Sequence, residues 1–406
     1  MSVSLDFAQA RPAADGDLSK GASDQAALRS FLAEILSPEI VSASNHADEP
    51  RRDLVSAIGQ RGFLANCFER QAAHEPLRMK FSQLEFFISQ LALTKHWGLT
   101  LSSALHVGVF LPMLSRLARS DHHHEVVKSG LKGELLGTVA ATDSQSAGSD
   151  FMGMETTATF EGSIVRLRGE KTFITSATMA DAAIVFARWR PGRHFANYCA
   201  LLVPTNLAGV SREPIAMAVM QGAGIGRLRF DDVKLPKDAV LGRREFGMRY
   251  FLEHIATERL IGGIWASAVA KHSLRSTHSY LATHRVGEQA LWTRDAVRQR
   301  FASAVVEYVQ LRALVDETIR NADITGVVDP LRATSIKAAV PGVMERIAGT
   351  CLQLRGARGL LADSDSLRSL IELRAFGIGG GSTETMLEVV ADLWTSSSMV
   401  EQIDGS

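Results

Sequence analysis

The chain has 406 residues, of which 44 are Lys or Arg and 44 are Asp or Glu, so its formal net charge at pH 7 is zero. A neutral chain has no general electrostatic field that would hold a polyanion, which argues against broad nucleic-acid binding. Hydrophobic residues make up 46% and charged residues 22%, a balance typical of a folded protein rather than a disordered one.

The N-terminal segment carries no recognisable targeting signal. It reads MSVSLDFAQARPAADGD and lacks the basic and apolar regions of a secretory signal. No run of 18 apolar residues occurs, so the sequence predicts no membrane-spanning helix. Three cysteines (Cys67, Cys199 and Cys351) lie far apart and form no CxxC pair, which fits a reducing compartment. We expect residues 1–23 to form a flexible leader and the protein to be cytoplasmic.

Hydrophobic periodicity divides the rest of the chain into three zones. Residues 24–135 carry apolar side chains at steps of three and four, which predicts an N-terminal helical domain. Residues 136–242 form short β-rich runs broken by Gly, Asn, Asp and Pro, and predict an antiparallel β-barrel or sandwich. Residues 243–406 return to helical periodicity in the long segments 247–283, 292–321, 330–360 and 383–398, which is typical of a four-helix bundle. The sequence thus predicts an α+β multi-domain protein in the order α, β, α.

A single carboxylate interrupts the apolar face of the first long C-terminal segment. Glu258 falls in the middle of a stripe whose members lie within about 40° of one line at 100° per residue: Phe251, Ile255, Gly262, Trp265 and Val269. Burial disfavours the charged form of a carboxylate and raises its pKa, which suits a general base near neutral pH. The residues alone leave two interpretations open, a catalytic base or a structural salt bridge to a neighbouring helix.

Two glycine-rich runs invite a functional interpretation. GAGIGR at residues 222–227 lacks the GxGxxG spacing and does not predict a nicotinamide site. GIGGGS at residues 377–382 is the densest glycine run in the chain. It is either a flexible loop between helices or a place where the backbone must approach a ligand closely.

Three sequence blocks resemble the acyl-CoA dehydrogenase family. They are AATDSQSAGSD at residues 140–150 with KTFITS at 171–176, FDDVKLPKDAVLG at 230–242, and RAFGIGGGSTETM at 374–386. The resemblance implies a helical domain, a middle β domain and a C-terminal four-helix bundle, the same order that the periodicity predicts. It also implies FAD between the middle and C-terminal domains, in a homodimer or homotetramer whose second subunit touches each flavin.

The resemblance gives Glu258 a specific role. Many family members carry their catalytic glutamate in the C-terminal loop, at the position that is Gly380 here. A minority, similar to isovaleryl- and long-chain-type enzymes, place it on the first bundle helix in a Leu-Glu-Arg-Leu context, which corresponds to Thr257-Glu258-Arg259-Leu260 here. By resemblance, Glu258 removes the α-proton of an acyl thioester while hydride passes to flavin N5, and the Gly380 N–H donates to the thioester carbonyl.

Flavin contacts carry over position by position. Thr142 matches the threonine at the isoalloxazine edge, Thr175 the threonine beside N5, and Phe173 the aromatic residue over the ring. Ser149 matches a serine near the pyrophosphate. The remaining matches are C-terminal: Arg285, Gln353 and Gly356 as contacts to a neighbouring subunit's FAD, and Ser382 and Glu384 in the C-terminal loop. No metal site is expected.

The sequence therefore predicts FAD-dependent α,β-dehydrogenation of an acyl-CoA or acyl carrier protein thioester, with an electron-transfer flavoprotein or oxygen as electron acceptor. Departures from the family pattern at Ser144-Gln145, after Arg285 and at Arg358 favour a divergent member. The first alternative is a flavin-dependent monooxygenase on the same fold, acting on a small amine or heteroaromatic compound. The second is a binding or scaffold protein with an idle flavin. Because such monooxygenases generally lack the catalytic glutamate, Glu258 favours the dehydrogenase. Neither a nucleic-acid nor a membrane partner is expected.

Overall fold

The protein folds in three successive parts, a group of helices, a β-sheet and a second group of helices. A computed structural model describes residues 18–36, 51–69, 72, 74–144 and 150–396. The N-terminal part contains α1 (Leu18–Ile35), α2 (Arg52–Gln60), α3 (Phe81–Leu93), α4 (Trp97–Leu105), α5 (Leu111–Leu117) and α6 (Asp121–Leu131). Helix α1 begins inside the segment that the sequence assigns to a leader.

The continuous run from α4 through α5 is the most apolar helical stretch of the described residues. A π-helical turn at His106–Phe110 joins the two helices. The whole run, Trp97–Leu117, is long and apolar enough to cross a membrane by composition, which the sequence analysis did not detect. However, 83% of its most apolar window is buried inside the fold, so the run forms the core of the N-terminal helical part.

The middle part is one curled seven-stranded sheet. Its strands are β1 (Gly137–Ala140), β2 (Thr157–Glu161), β3 (Ile164–Ile174), β4 (Ala182–Arg188), β5 (Tyr198–Pro204), β6 (Val210–Pro214) and β7 (Gly226–Pro236). The order is β1-β4-β2-β3-β7-β6, and β5 pairs with β4. The sheet is mixed, whereas the sequence predicted an antiparallel one. Strand β4 pairs parallel to β1, and the β2–β3 hairpin forms part of the long connection between them.

Strand β4 is buried on both of its faces. Its residues Ala182–Ala187 are all buried, although a one-sided strand would alternate. Ala183 and Val185 belong to the core enclosed by the sheet. Ile184 and Phe186 belong to the larger core shared with the helices. The sheet is therefore covered on both faces along this strand, and the helices pack against its outer face.

The C-terminal part is the predicted helical bundle. It consists of α7 (Gly247–Thr283), α8 (Asp295–Thr325), α9 (Pro330–Leu354), α10 (Asp365–Glu372) and α11 (Thr383–Ser396), with a small hairpin of β8 (Arg285–Val286) and β9 (Gln289–Ala290) between α7 and α8. Helix α7 has the bounds that the periodicity predicts. Helix α9 is shorter than predicted, because Gly356 takes a left-handed φ of 57° and the chain continues as a 3₁₀ turn.

Candidate active site

Glu258 lies near the middle of α7 on the helix face that the sequence predicted to be buried. Phe251, Ile255 and Trp265 on that face are at most 6% exposed, whereas Glu258 itself is half-buried. In the described part of the chain, no Lys, Arg or His nitrogen lies within 4.0 Å of its carboxylate. The arrangement is that of a carboxylate set into an apolar wall with one side open, rather than that of a buried salt bridge.

The glycine-rich loop between α10 and α11 passes directly against this carboxylate. Gly380 and Gly381 have left-handed φ angles of 71° and 105°. A Cβ atom added to Gly380 would lie 2.8 Å from Glu258 Oε1, closer than such atoms approach. The left-handed backbone favours glycine at position 380, and a side chain there would require the Glu258 carboxylate to move. The loop backbone thus lies against Glu258, and its close approach to a ligand stays a prediction.

Lys337 of α9 anchors the same loop from beneath. Its side chain is 5% exposed, and its ammonium donates hydrogen bonds to the carbonyl oxygens of Phe376 and Gly379. Its Cε lies 3.8 Å from the position of a Gly380 Cβ, so Glu258 and Lys337 flank one point of the loop. Lys337 thus fixes the loop backbone and brings a positive charge near the carboxylate.

The electrostatic environment of Glu258 combines burial with two positive charges. Burial raises the pKa of the Glu258 carboxyl, and the charges of Lys337 and Arg259 oppose that rise. Burial likewise lowers the pKa of Lys337 to about 8, against the opposing effect of Glu258. Arg259 Nη1 donates to Thr334 Oγ1 at 2.8 Å, which holds the guanidinium toward α9. A carboxylate with a raised pKa and room on one side has the properties of a general base.

An aromatic wall closes the space one to two helical turns beyond Glu258. Trp265 stacks on Trp97 with ring centroids 5.6 Å apart, and Phe376 meets Trp265 edge-on at 5.3 Å. The position of a Cβ on Gly262 would be 3.5 Å from the Phe376 ring. A side chain at position 262 would therefore point at the Phe376 ring, so Gly262 keeps this helix face low between Glu258 and the wall.

The two middle-domain segments assigned to flavin contacts are tied together by a buried ion pair. Lys171, fully buried, contacts the carboxylate of Asp143, which is 3% exposed. Asp143 also accepts hydrogen bonds from the backbone N–H of Thr156 at 2.7 Å and from its hydroxyl at 3.0 Å. A buried charge pair with its lone pairs satisfied holds its neighbours in one geometry. Thr142 precedes Asp143, and Phe173 and Thr175 follow Lys171.

Phe173 combines an unusual backbone conformation with an exposed side chain, at an irregularity in the β3–β7 pairing. It has a left-handed φ of 53°, and its ring is 60% exposed. The backbone N–H of Thr172 donates to the Thr142 carbonyl at 3.0 Å, which places Thr142 next to the β3 backbone that carries Phe173. The Thr175 carbonyl accepts from Thr138 Oγ1 at 2.6 Å. Strain of this kind in a bulky residue persists where the surroundings impose it. Ser149 lies outside the described residues.

Arg285, Gln353 and Gly356 lie toward the same end of the bundle, where α7 and α9 end. Arg355 donates to Ser276 and Thr277 near the end of α7, which brings the end of α9 to this place. Arg285 is exposed in the β8–β9 hairpin, and its guanidinium donates to the Glu288 carbonyl. The end of α7 is about 38 Å from Glu258 along the helix axis. These residues do not join Glu258 in one site within the chain, so their assignment to a neighbouring subunit's FAD stays a prediction.

Ser382 and Glu384 lie at the start of α11. Ser382 Oγ accepts from the Thr385 backbone N–H at 3.3 Å and is 3.1 Å from Thr385 Oγ1, so it caps the helix. Glu384 is exposed in the first turn, where a negative charge favours the helix dipole. The structure gives both residues a helix-terminus role, and their flavin contacts stay predictions.

Sequence reasoning missed Lys337 and the Lys171–Asp143 pair. Lys337 shares a helix face with Ala333 and Val340, both buried, so the argument applied to Glu258 would also have found it. Lys171 occupies a buried position in β3, but its partner follows from tertiary pairing rather than from sequence spacing.

Comparison with known proteins places the chain in a family. The acyl-CoA dehydrogenase middle domain matches residues 138–233, and the acyl-CoA dehydrogenase C-terminal domain matches residues 245–393. The long-chain specific acyl-CoA dehydrogenase of Rattus norvegicus is 26% identical over 298 residues, which cover 73% of this chain and 69% of the relative. The acyl-[acyl-carrier-protein] dehydrogenase MbtN of Mycobacterium tuberculosis is 25% identical over 376 residues, covering 91% and 94% of the two chains.

The fold agrees with solved structures. An acyl-CoA dehydrogenase from Geobacillus kaustophilus superposes with a TM-score of 0.86 at 22% identity, over 95% of this chain and all of the other. The family consists of flavoenzymes that catalyse oxidation–reduction and use FAD. The matched domains span more than half of the chain, which therefore belongs to the acyl-CoA dehydrogenase family.

Proposed function

We propose that this protein is an FAD-dependent dehydrogenase that introduces a double bond between the α and β carbons of an acyl thioester, with Glu258 as the base. Bound FAD would supply the acceptor for the hydride that leaves the β-carbon. Glu258 would take the α-proton onto a carboxylate oxygen. The backbone N–H of Gly380 would donate to the thioester carbonyl, which stabilises the charge that develops there as the α-proton leaves.

One observation carries this proposal: Glu258 occupies the space that a side chain at position 380 would need. The carboxyl has a raised pKa and is only partly buried, and the next residue one turn along its helix face is Gly262, which has no side chain. These are the requirements for abstracting a weakly acidic carbon-bound proton.

The residues of the middle domain fit a flavin. Phe173 is exposed and has a left-handed backbone, and its neighbour Thr172 is hydrogen-bonded to Thr142. This arrangement suits a flat heteroaromatic ligand with hydrogen-bonding edges. Thr142, Phe173 and Thr175 would hold it. The Lys171–Asp143 pair would fix both segments before the ligand binds, since neither partner is exposed.

The test is a visible spectrum of the purified protein, recorded before and after anaerobic addition of butyryl, octanoyl and palmitoyl thioesters of CoA and of acyl carrier protein. We expect a flavin spectrum that bleaches with at least one of them. A flavin spectrum that none of these thioesters bleaches would contradict this proposal and favour the monooxygenase alternative. A protein that takes up no FAD would leave only the scaffold interpretation.

A further inference from the structure

We propose that an arginine-rich surface around the start of α7 docks an acyl carrier protein, so that the thioester is delivered on a protein rather than on CoA. This inference rests on the proposed function, because it names how the substrate of that site arrives. The arginine surface is defined by Arg190, Arg243, Arg244 and Arg249.

The arginine surface is built on two aromatic rings. Arg190 and Arg244 lie over the Trp189 ring, with their Cζ atoms 4.0 and 3.8 Å from its centroid. Arg243 and Arg249 lie over the Phe246 ring at 5.3 and 5.7 Å. Stacking on an aromatic face orients a guanidinium and leaves its edge free to bind a carboxylate or phosphate. The four arginines are therefore held in place before any partner binds.

This surface carries a local excess of positive charge in a chain whose net charge is zero. Arg244 is 3.5 Å from Glu245, and Arg249 is 2.8 Å from Glu253. Within the described residues, neither Arg190 nor Arg243 has a carboxylate within 4.0 Å. Four arginines thus face two carboxylates, and an acidic partner would be attracted and oriented here.

The arginine surface lies at the beginning of the helix that carries Glu258. Arg249 is about 14 Å from Glu258 along the axis of α7. Phe251, on the same helix face as Glu258, packs on Phe151 with ring centroids 4.4 Å apart. Phe151 directly follows the sequence block at residues 140–150, which is assigned to flavin contacts. A pantetheine arm extends over a distance of this order, so a thioester on a carrier docked here would reach the carboxylate.

A carrier protein fits the arginine surface better than a nucleotide does. The arginines are spread over the end of β4, the turn before α7 and its first turn, and exposed Phe195 (54%) follows in the β4–β5 connection. A broad surface that combines basic side chains with an exposed aromatic side chain suits contact with an acidic protein surface. The relative MbtN, which aligns over 91% of this chain, is named an acyl-[acyl-carrier-protein] dehydrogenase.

The test measures binding of a fluorescently labelled holo acyl carrier protein to the FAD-loaded enzyme, without turnover. The double variant Arg190→Glu/Arg243→Glu reverses two charges without breaking a described ion pair. We expect it to weaken carrier binding at least about tenfold, and added salt to weaken binding to the wild type. The matched control is Arg300→Glu, an exposed arginine on α8 at the other end of the bundle, which should bind as the wild type does.

Four results would overturn the inference. The first three are absence of carrier binding to the wild type, equal binding by the double variant, and equal loss of binding in the Arg300→Glu control. The fourth is a parallel loss of acyl-CoA affinity in the double variant, which would assign the arginine surface to nucleotide phosphates. Since binding is measured with an unacylated carrier, its outcome is independent of whether any thioester bleaches the flavin. Failure of bleaching would contradict the proposed function, and failure of binding would contradict only this inference.

Discussion

Glu258 Oε1 lies 2.8 Å from the position that a Cβ atom would take on Gly380. Positions 258 and 380 therefore face the same space, and a side chain at 380 would require the Glu258 carboxylate to move. The left-handed φ of 71° independently favours glycine at position 380.

Replacing the proposed base tests its role directly. Glu258→Gln keeps the size of the side chain and cannot accept the α-proton. We expect FAD to stay bound and the rate of anaerobic bleaching by the best thioester to fall by about 10²–10⁴-fold, measured by stopped-flow absorbance. Glu125→Gln, an exposed glutamate on α6, is the control and should bleach at the wild-type rate. Wild-type bleaching in Glu258→Gln would move the base elsewhere.

Moving the base between the two positions tests the steric relationship. Gly380→Glu alone should lose activity, because its Cβ meets the Glu258 carboxylate and a non-glycine residue at positive φ costs about 1–2 kcal/mol. The double variant Glu258→Gly/Gly380→Glu removes the clash. We expect it to bleach faster than Glu258→Gly alone, from the same stopped-flow traces. A double variant no faster than Glu258→Gly would show that the loop does not direct a side chain at the substrate.

Lys337 should set the pH range over which Glu258 works. Proton abstraction needs the ionised carboxylate, and the positive charge of Lys337 opposes the rise in the Glu258 pKa that burial causes. Lys337→Met removes that charge, so the Glu258 pKa should rise and the acidic limb of the bleaching rate should move to higher pH. Above pH 8 the two proteins should converge, because the pKa of Lys337 is itself about 8.

The matched variant for this experiment is Lys337→Arg, which keeps the charge and can still donate to the loop carbonyls. Its acidic limb should stay near that of the wild type. If Lys337→Met merely slowed bleaching at every pH, with the same midpoint, Lys337 would only support the loop.

The Lys171–Asp143 pair should stabilise the fold and the flavin segments together. Lys171→Met leaves the Asp143 charge buried and unpaired, so we expect the free energy of unfolding to fall by about 3–5 kcal/mol in denaturant titration. FAD occupancy, from the visible-to-ultraviolet absorbance ratio, should fall as well. Adding Asp143→Asn removes the stranded charge and should recover part of the stability. A double variant no more stable than Lys171→Met would contradict this account.

Arg285→Ala tests whether a second subunit completes the flavin site. Arg285 lies about 38 Å along α7 from Glu258, and its guanidinium bonds to Glu288 in its own hairpin. If it also reaches a neighbouring subunit's FAD, removing it should lower FAD occupancy without altering the far-ultraviolet circular dichroism. Unchanged occupancy would mean that the altered sequence after Arg285 no longer makes this contact.

The sequence by itself determined the features that local periodicity and motif order encode. A period near 3.6 residues marks α7 over 247–283, and the stripe through Phe251 and Trp265 singles out Glu258 as a carboxylate on a buried face. The glycine run at 377–382 was compatible with a flexible loop or with a backbone that lies close to a ligand. These features depend on neighbours within a few residues, so they are visible without the fold.

The tertiary structure decided which of these features meet. Lys337 reaches Glu258 and the loop carbonyls only because α9 packs along α7 and the α10–α11 connection folds back over both. Asp143 finds Lys171 through a β-bridge, and β1 pairs parallel to β4 because a hairpin lies between them. The arginine surface likewise joins the β4–β5 connection to the start of α7. Such contacts join residues distant in sequence, and their partners are fixed by packing of whole elements, which no local pattern specifies.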